Sequence, residues 1–140
     1  PVVLDLPPEE DPLLRYLTNT IMKDGKRKRA SRIVSRTLLR LHTFTQAPPL
    51  ELLRRAVEMA SPFVRSMTHR YGVKNQLIPV ALSEKQRTRY AIKWILEASK
   101  KRSGQTLDER LAREIILVLQ DNSETKKLKE QAHLFAMVNR

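Results

Sequence analysis

Apolar residues recur at helical spacing along most of this chain, and the period changes in one stretch only, from about residue 63 to 82. Helix side chains three and four apart share a face, whereas strand side chains alternate. The pattern therefore demands a mainly helical fold with a single strand-rich insertion. Asp11 ahead of Pro12 marks the first helix, with Leu13, Leu14, Leu17 and Ile21 as its stripe and Asp24-Gly25 as its stop. The second runs over 26–44 and turns Ala30, Ile33, Val34, Thr37, Leu38 and Leu41 inward. Pro48-Pro49 restarts the chain into a third, which buries Leu53, Ala56, Val57 and Ala60 and ends before Pro62.

Residues Phe63 to Arg70 and Gln76 to Leu82 are rich in Val, Ile, Thr and Leu, and YGVKN around Gly72 joins them as a β-hairpin. Pro79 confines its strand to an edge. Two strands do not make a domain, so the hairpin lies against the helices or projects as an arm. Ser83 with Gln86 forms a capping box that opens a fourth helix, with Ala91, Trp94, Ile95 and Ala98 on its apolar face. Its Trp is the only one in the chain and is expected to anchor the neighbouring helices. Thr106 and Glu109 supply a second capping box, for a fifth helix with Leu107, Leu111, Ile115, Val118 and Leu119 inward. The sixth carries Leu128, Ala132, Phe135 and Ala136 inward. The expectation is a mainly α, single-domain bundle of about six helices over 11–140 with a protruding two-stranded β-hairpin at about 63–82. An extended, proline-rich segment, 1–10, leads into it. A chain of 140 residues buries enough apolar surface to fold without staples.

Charge points to the partner. The net charge is +12, yet residues 1–22 carry four acids against Arg15 alone, which leaves an excess of +15 for the remainder. Such a surplus repels itself unless a polyanion neutralises it, so nucleic acid is the leading partner and an anionic membrane surface the second. The second helix concentrates the effect. From Lys23 to Arg40 there are eight basic residues and one acid, and Lys26, Arg27, Lys28 and Arg29 crowd the positive end of the helix dipole. A merely solvated face would place acids there. Lys28, Arg32, Arg36 and Arg40 continue up one side at four-residue spacing. The fourth helix adds Arg89, Lys93 and Lys100, with Lys101 and Arg102 past its end. The hairpin adds Arg65, His69, Arg70 and Lys74, with Tyr71 near the tip either stacking on a base or packing on its own arm. Lys126, Lys129, His133 and Arg140 make a stripe on the sixth helix, where His133 reads as a surface polar residue.

Catalytic chemistry is not indicated, and neither is a cofactor or a metal. Without cysteine there are no disulfides, thiolate nucleophiles, zinc ribbons or iron–sulfur clusters. His42, His69 and His133 sit in separate elements, Gly25, Gly72 and Gly104 stand alone rather than in a phosphate loop, and the carboxylates are scattered. No apolar run reaches membrane-spanning length, and no secretory signal opens the chain, which begins with Pro as a processed or partial product would. A DNA-binding or RNA-chaperone helical module is the alternative, although the basic stripe has little Asn or Gln with which to read bases.

Asp24-Gly25-Lys26-Arg27 with Ala30 and Ile33, then Pro79-Val80, then Arg87-Thr88-Arg89-Tyr90-Ala91-Ile92-Lys93-Trp94-Ile95 form a recognisable series. It continues through Glu97-Ala98, Lys100-Lys101-Arg102-Ser103, Glu109 to Ile115, Lys126-Lys127, Lys129-Glu130, His133, Ala136 and Asn139-Arg140. Over roughly 11–140 the chain resembles the universal family of ribosomal protein seven of the small subunit. The resemblance implies a helical bundle with a projecting hairpin that binds the 3′ major domain of small-subunit rRNA and nucleates assembly of the subunit head. It implies partners too: other head proteins, including ribosomal protein eleven, and transiently mRNA and the exit-site tRNA.

By position, the resemblance implies rRNA contacts at Lys23, Lys26, Arg27, Lys28, Arg29, Arg32 and Arg36. It implies the same at Arg65, Arg70 and Lys74 in the hairpin, at Arg87, Arg89 and Lys93, and at Lys100, Lys101 and Arg102. Tyr71, Gly72, Lys74 and Asn75 would approach the exit site, with Lys126, Lys129, His133 and Arg140 beside the mRNA path. Gly72-Val73 and Gln76-Leu77 stand where bacterial members usually have Gly-Gly and Tyr-Gln. The lead-in is acidic rather than basic, and the bacterial tail beyond Asn139-Arg140 is missing. These departures point to the ribosome of the mitochondrial matrix, with a bacterial cytoplasm or a plastid as the alternative.

Overall fold

A computed structural model describes the backbone of residues 11–138 other than 73 and 122, and the side chains of these residues other than 65–71, 74–79, 124, 137 and 138. The expectation for 1–10 lies outside the described residues. So do those for the side chains of Arg65, His69, Arg70, Tyr71, Lys74 and Asn75, and for Arg140 altogether.

The order of elements is α1 (Pro12–Ile21), α2 (Arg27–Thr45), α3 (Pro49–Ala60), β1 (Val64–Tyr71), β2 (Lys74–Ala81), α4 (Glu84–Ser99), α5 (Leu107–Leu119) and α6 (Glu124–Val138). Local chemistry starts most of them. Asp11 caps α1 by accepting from the backbone N–H of Leu13 (2.9 Å) and Leu14 (3.4 Å), while Pro12 occupies a position whose missing N–H is no loss. The Ser83–Gln86 capping box of α4 is complete. Thr106, by contrast, caps α5 without a side-chain bond, and Glu109 turns to Arg113 (2.9 Å) and to the Gln105 N–H (3.4 Å), so the second capping box is not formed. At the other end of α1 the helix stops at Ile21, short of the expected Asp24-Gly25. Those two residues form a left-handed turn, at φ 55° and 71°, that leads into α2.

The core joins Leu14 and Leu17 of α1 to Val34, Leu38 and Leu41 of α2, and Leu53 and Val57 of α3 to Ile92 and Ile95 of α4. Leu111, Ile115 and Val118 of α5 complete it. α5 packs against α2, α3 and α4, and so occupies the middle. In α4 the buried stripe is Ala91, Ile92, Ile95, Ala98 and Ser99. Trp94 is therefore not the central anchor expected. It is half-buried at the edge of that stripe, outside the main cluster, with its ring 5.6 Å from that of Tyr90. Phe135 of α6 likewise remains 52% exposed instead of turning inward, and Ala136 takes the buried place beside it.

β1 and β2 pair antiparallel, with Val64 opposite Ala81 and Tyr71 opposite Lys74. The ladder runs nearer the tip than expected, because Tyr71, Lys74 and Asn75 belong to it and only positions 72 and 73 remain between the strands. Gly72, at φ 59°, supplies the left-handed geometry such a tight turn needs. Both strands pack on α6. Among the described residues no helix is long and apolar enough to cross a membrane.

Candidate nucleic-acid interface

An open groove of about 1160 Å³ lies between the α1–α2 turn, the first half of α2 and the start of α5. It gathers Lys23, Lys26, Arg27, Lys28, Arg29, Arg32 and Arg36, all exposed, and adds Arg110 from α5. Arg110 is not marked as a site residue by the sequence, where it belongs to an ordinary-looking run of acids and cations, Asp108-Glu109-Arg110; it is partly buried and donates from Nη1 to Gly104 O at 3.3 Å. Lys26 is the N-cap of α2 and makes no side-chain cap bond. The start of α2 therefore lines this groove with four consecutive cations and no capping acid, although the Arg27 N–H is taken by Gly25 O at 2.9 Å, and the arrangement is suited to phosphate oxygens. Arg27 lends one nitrogen to Asn19 Oδ1 at 3.0 Å. The side chains of Lys23, Lys26, Lys28, Arg29, Arg32 and Arg36 have no ion-pair or hydrogen-bond partner among the described residues.

Other basic residues are already engaged. Arg40, next along the same stripe, donates from Nε to the buried Asp108 at 2.7 Å. Burial alone would raise the Asp108 carboxyl, but hydrogen bonds from Arg40 and Thr106 and the Arg40 charge outweigh it and hold the group below its ordinary value. Arg102 lies with Nε 2.8 Å from Oε2 of the fully buried Glu114, an ion pair set off the hydrogen-bond line. The other Glu114 oxygen accepts from the hydroxyls of Ser123 and Thr125. Arg54 pairs with the Asp11 cap.

Among the described residues, Arg89, Lys93, Lys100 and Lys101 are exposed at α4 and its end but do not line the groove, so they offer a basic surface apart from it. Lys101 also has an interaction within the chain. Arg87, expected with this group, donates from Nε to Pro62 O (3.1 Å) and from Nη2 to Ser61 Oγ (2.8 Å), with its Cζ 4.1 Å from the centre of the Phe63 ring.

The described members of the α6 stripe are engaged as well. Lys126 pairs with Asp121 at 2.9 Å. Lys129 donates to Met59 O at 2.9 Å and lies 5.4 Å from the Phe63 ring centre. His133 Nε2 accepts from the Phe63 N–H at 2.9 Å, so its proton resides on Nδ1, and the partly exposed ring has a partner within the chain. Burial, then the charges of Lys129 and Arg87, lower the His133 pKa, while burial followed by the Arg87 charge lowers that of Lys129. Among the described residues no group of three or more His, Asp or Glu is placed to hold a metal.

Comparison with known proteins adds the family context. The family model described as Ribosomal protein S7p/S5e matches residues 2–140. The chain is 33% identical over 138 residues to the small ribosomal subunit protein uS7m of Schizosaccharomyces pombe, covering 99% of this chain and 53% of that protein, so it spans about half the length of that relative. It is 34% identical over 141 residues to the small ribosomal subunit protein uS7 of Thermotoga petrophila, covering 99% of this chain and 91% of that one. The uS7 of Thermotoga maritima is 34% identical, with 96% and 89% covered.

Proposed function

The chain belongs to the ribosomal protein S7p/S5e family, a structural component of the small ribosomal subunit and not an enzyme, and from that premise we propose that it binds the 3′ major domain of small-subunit rRNA and helps organise the subunit head. The observation that carries this is the groove at the start of α2, where a helix N-terminus without a side-chain cap and unpaired cations line one opening. The exposed cations of α4 form a second contact surface. Because one apolar core sets the spacing of the two, the protein recognises the shape of folded RNA instead of base sequence. In this reading the hairpin tip approaches the exit-site tRNA, α6 helps line the mRNA path, and the protein sits beside ribosomal protein eleven.

The test is chemical footprinting on a 3′ major domain fragment across a salt series. Discrete protections at a multi-helix junction that persist near physiological salt are expected. Diffuse protection, matched on random duplex and lost with salt, would overturn the reading. Identity to the mitochondrial and bacterial relatives is nearly equal, and the altered hairpin tip and acidic lead-in favour the mitochondrial ribosome. Sedimentation of the tagged chain with small subunits from purified mitochondria checks that placement.

A further inference from the structure

We infer that Phe63, Arg87, Lys129 and His133 form a latch that fixes the direction of the hairpin arm, so that the two cations and the histidine are positioning residues and not phosphate contacts. A two-stranded hairpin has no core of its own and takes its orientation from its root. Here the approach to β1 is held position by position. Lys129 holds Met59 O, Arg87 holds Ser61 Oγ and Pro62 O, and His133 holds the Phe63 N–H. The Phe63 ring, 57% exposed, lies against Arg87 of α4 and against Lys129 and His133 of α6, with the His133 ring centre 5.9 Å away. Across the root, Phe63 O accepts from the Leu82 N–H at 2.9 Å, so what fixes Phe63 also fixes the return strand. Side chains from α4 and α6 thus converge on one point where the chain leaves the bundle. The donors of Arg87 and Lys129 are already engaged, unlike the side chains of Lys28, Arg29, Arg32 and Arg36 in the groove.

The latch belongs to the free chain, so its test is independent of rRNA binding. The sequence has no cysteine, and Glu51→Cys on α3 with Gln76→Cys on the hairpin gives a clean spin-label pair for pulsed dipolar distance measurement. The wild type is expected to give one narrow distribution. Phe63→Ala and His133→Leu should widen it about twofold with helical circular dichroism retained. His133→Gln, whose amide oxygen still accepts from the Phe63 N–H, should restore the narrow form. Should Phe63→Ala fail to fold, Lys129→Met takes its place. Unchanged widths in these variants, or a wild type already broad, would overturn the latch. On rRNA, Lys129→Met should leave the salt slope unaltered, whereas loss of a phosphate contact would lower it by about 0.7–0.9 and overturn the positioning role.

Discussion

Glu114 shows how single residues divide this basic protein into cations that hold the fold and cations that face outward. It is fully buried in α5, and its partners Arg102, Ser123 and Thr125 come from the two loops that flank the helix and from the start of α6. Glu114→Ala should cost about 3–5 kcal/mol in urea unfolding, since it strands a partly buried guanidinium and two hydroxyls. Glu114→Gln, which can still accept from the hydroxyls, should cost about 1–3 kcal/mol. A signal for this residue exists in the sequence, because Glu114 falls on the apolar stripe between Leu111, Ile115 and Val118. Its partner is not visible there, because periodicity specifies a face and not what crosses it.

Asp108 makes the same point with a pH dependence. Its folded pKa lies below the ordinary value, so its contribution is complete above the unfolded pKa of about 3.9 and is lost as pH falls through the folded one. The stability gap between wild type and Asp108→Asn should be about 1–2 kcal/mol at pH 7 and should close below about pH 4 in urea titrations run across pH.

Among the elements, α2 is where stability and the proposed binding oppose each other. Its N-cap is Lys26, and no acid lies in its first turn. Lys26→Asp supplies the missing cap and a favourable dipole contact, so the variant should be about 1 kcal/mol more stable while binding rRNA less tightly. Thermal unfolding and filter binding together check this. A variant that gained stability with unchanged affinity would remove the N-terminus of α2 from the interface. Arg29→Glu or Arg32→Glu, further along the groove, should impair incorporation into the subunit, read from sucrose gradients of assembled particles. The charge crowding that identifies α2 was legible in the sequence because it contradicts ordinary helix chemistry. So was the start of α4, where Ser83 and Gln86 are adjacent partners. The Thr106–Glu109 pair has the same spacing, but Arg113 and the Gln105 N–H compete for Glu109. Likewise Trp94 and Ile95 both suit the apolar side of α4, and only the position of α5 and α3 decides that Ile92 and Ile95 face the core.

At the scale of the whole molecule, the two basic surfaces matter because a packed core keeps them at a constant separation. The groove is built from α1, α2 and α5, the second surface from α4, and α4 packs on α5. On the proposed function, a folded RNA that bridged both would be selected by the distance between its phosphates, which neither surface could measure alone. Charge counting in the sequence reveals the amount of positive charge but not this division. The internal uses of Arg40, Arg87, Arg102 and Lys129 depend on partners as far as 70 residues away. The division leads to an additive expectation. Arg29→Ala with Arg32→Ala should lower the slope of log affinity against log salt by about 1.4–1.8, as should Lys93→Ala with Lys100→Ala, and the fourfold variant by about 2.8–3.6. Random duplex, which has no matching junction, should lose slope only with whichever surface it happens to contact. If the α4 pair leaves the slope on the 3′ major domain unchanged, that surface faces protein or solvent in the subunit, and recognition rests on the α2 groove alone.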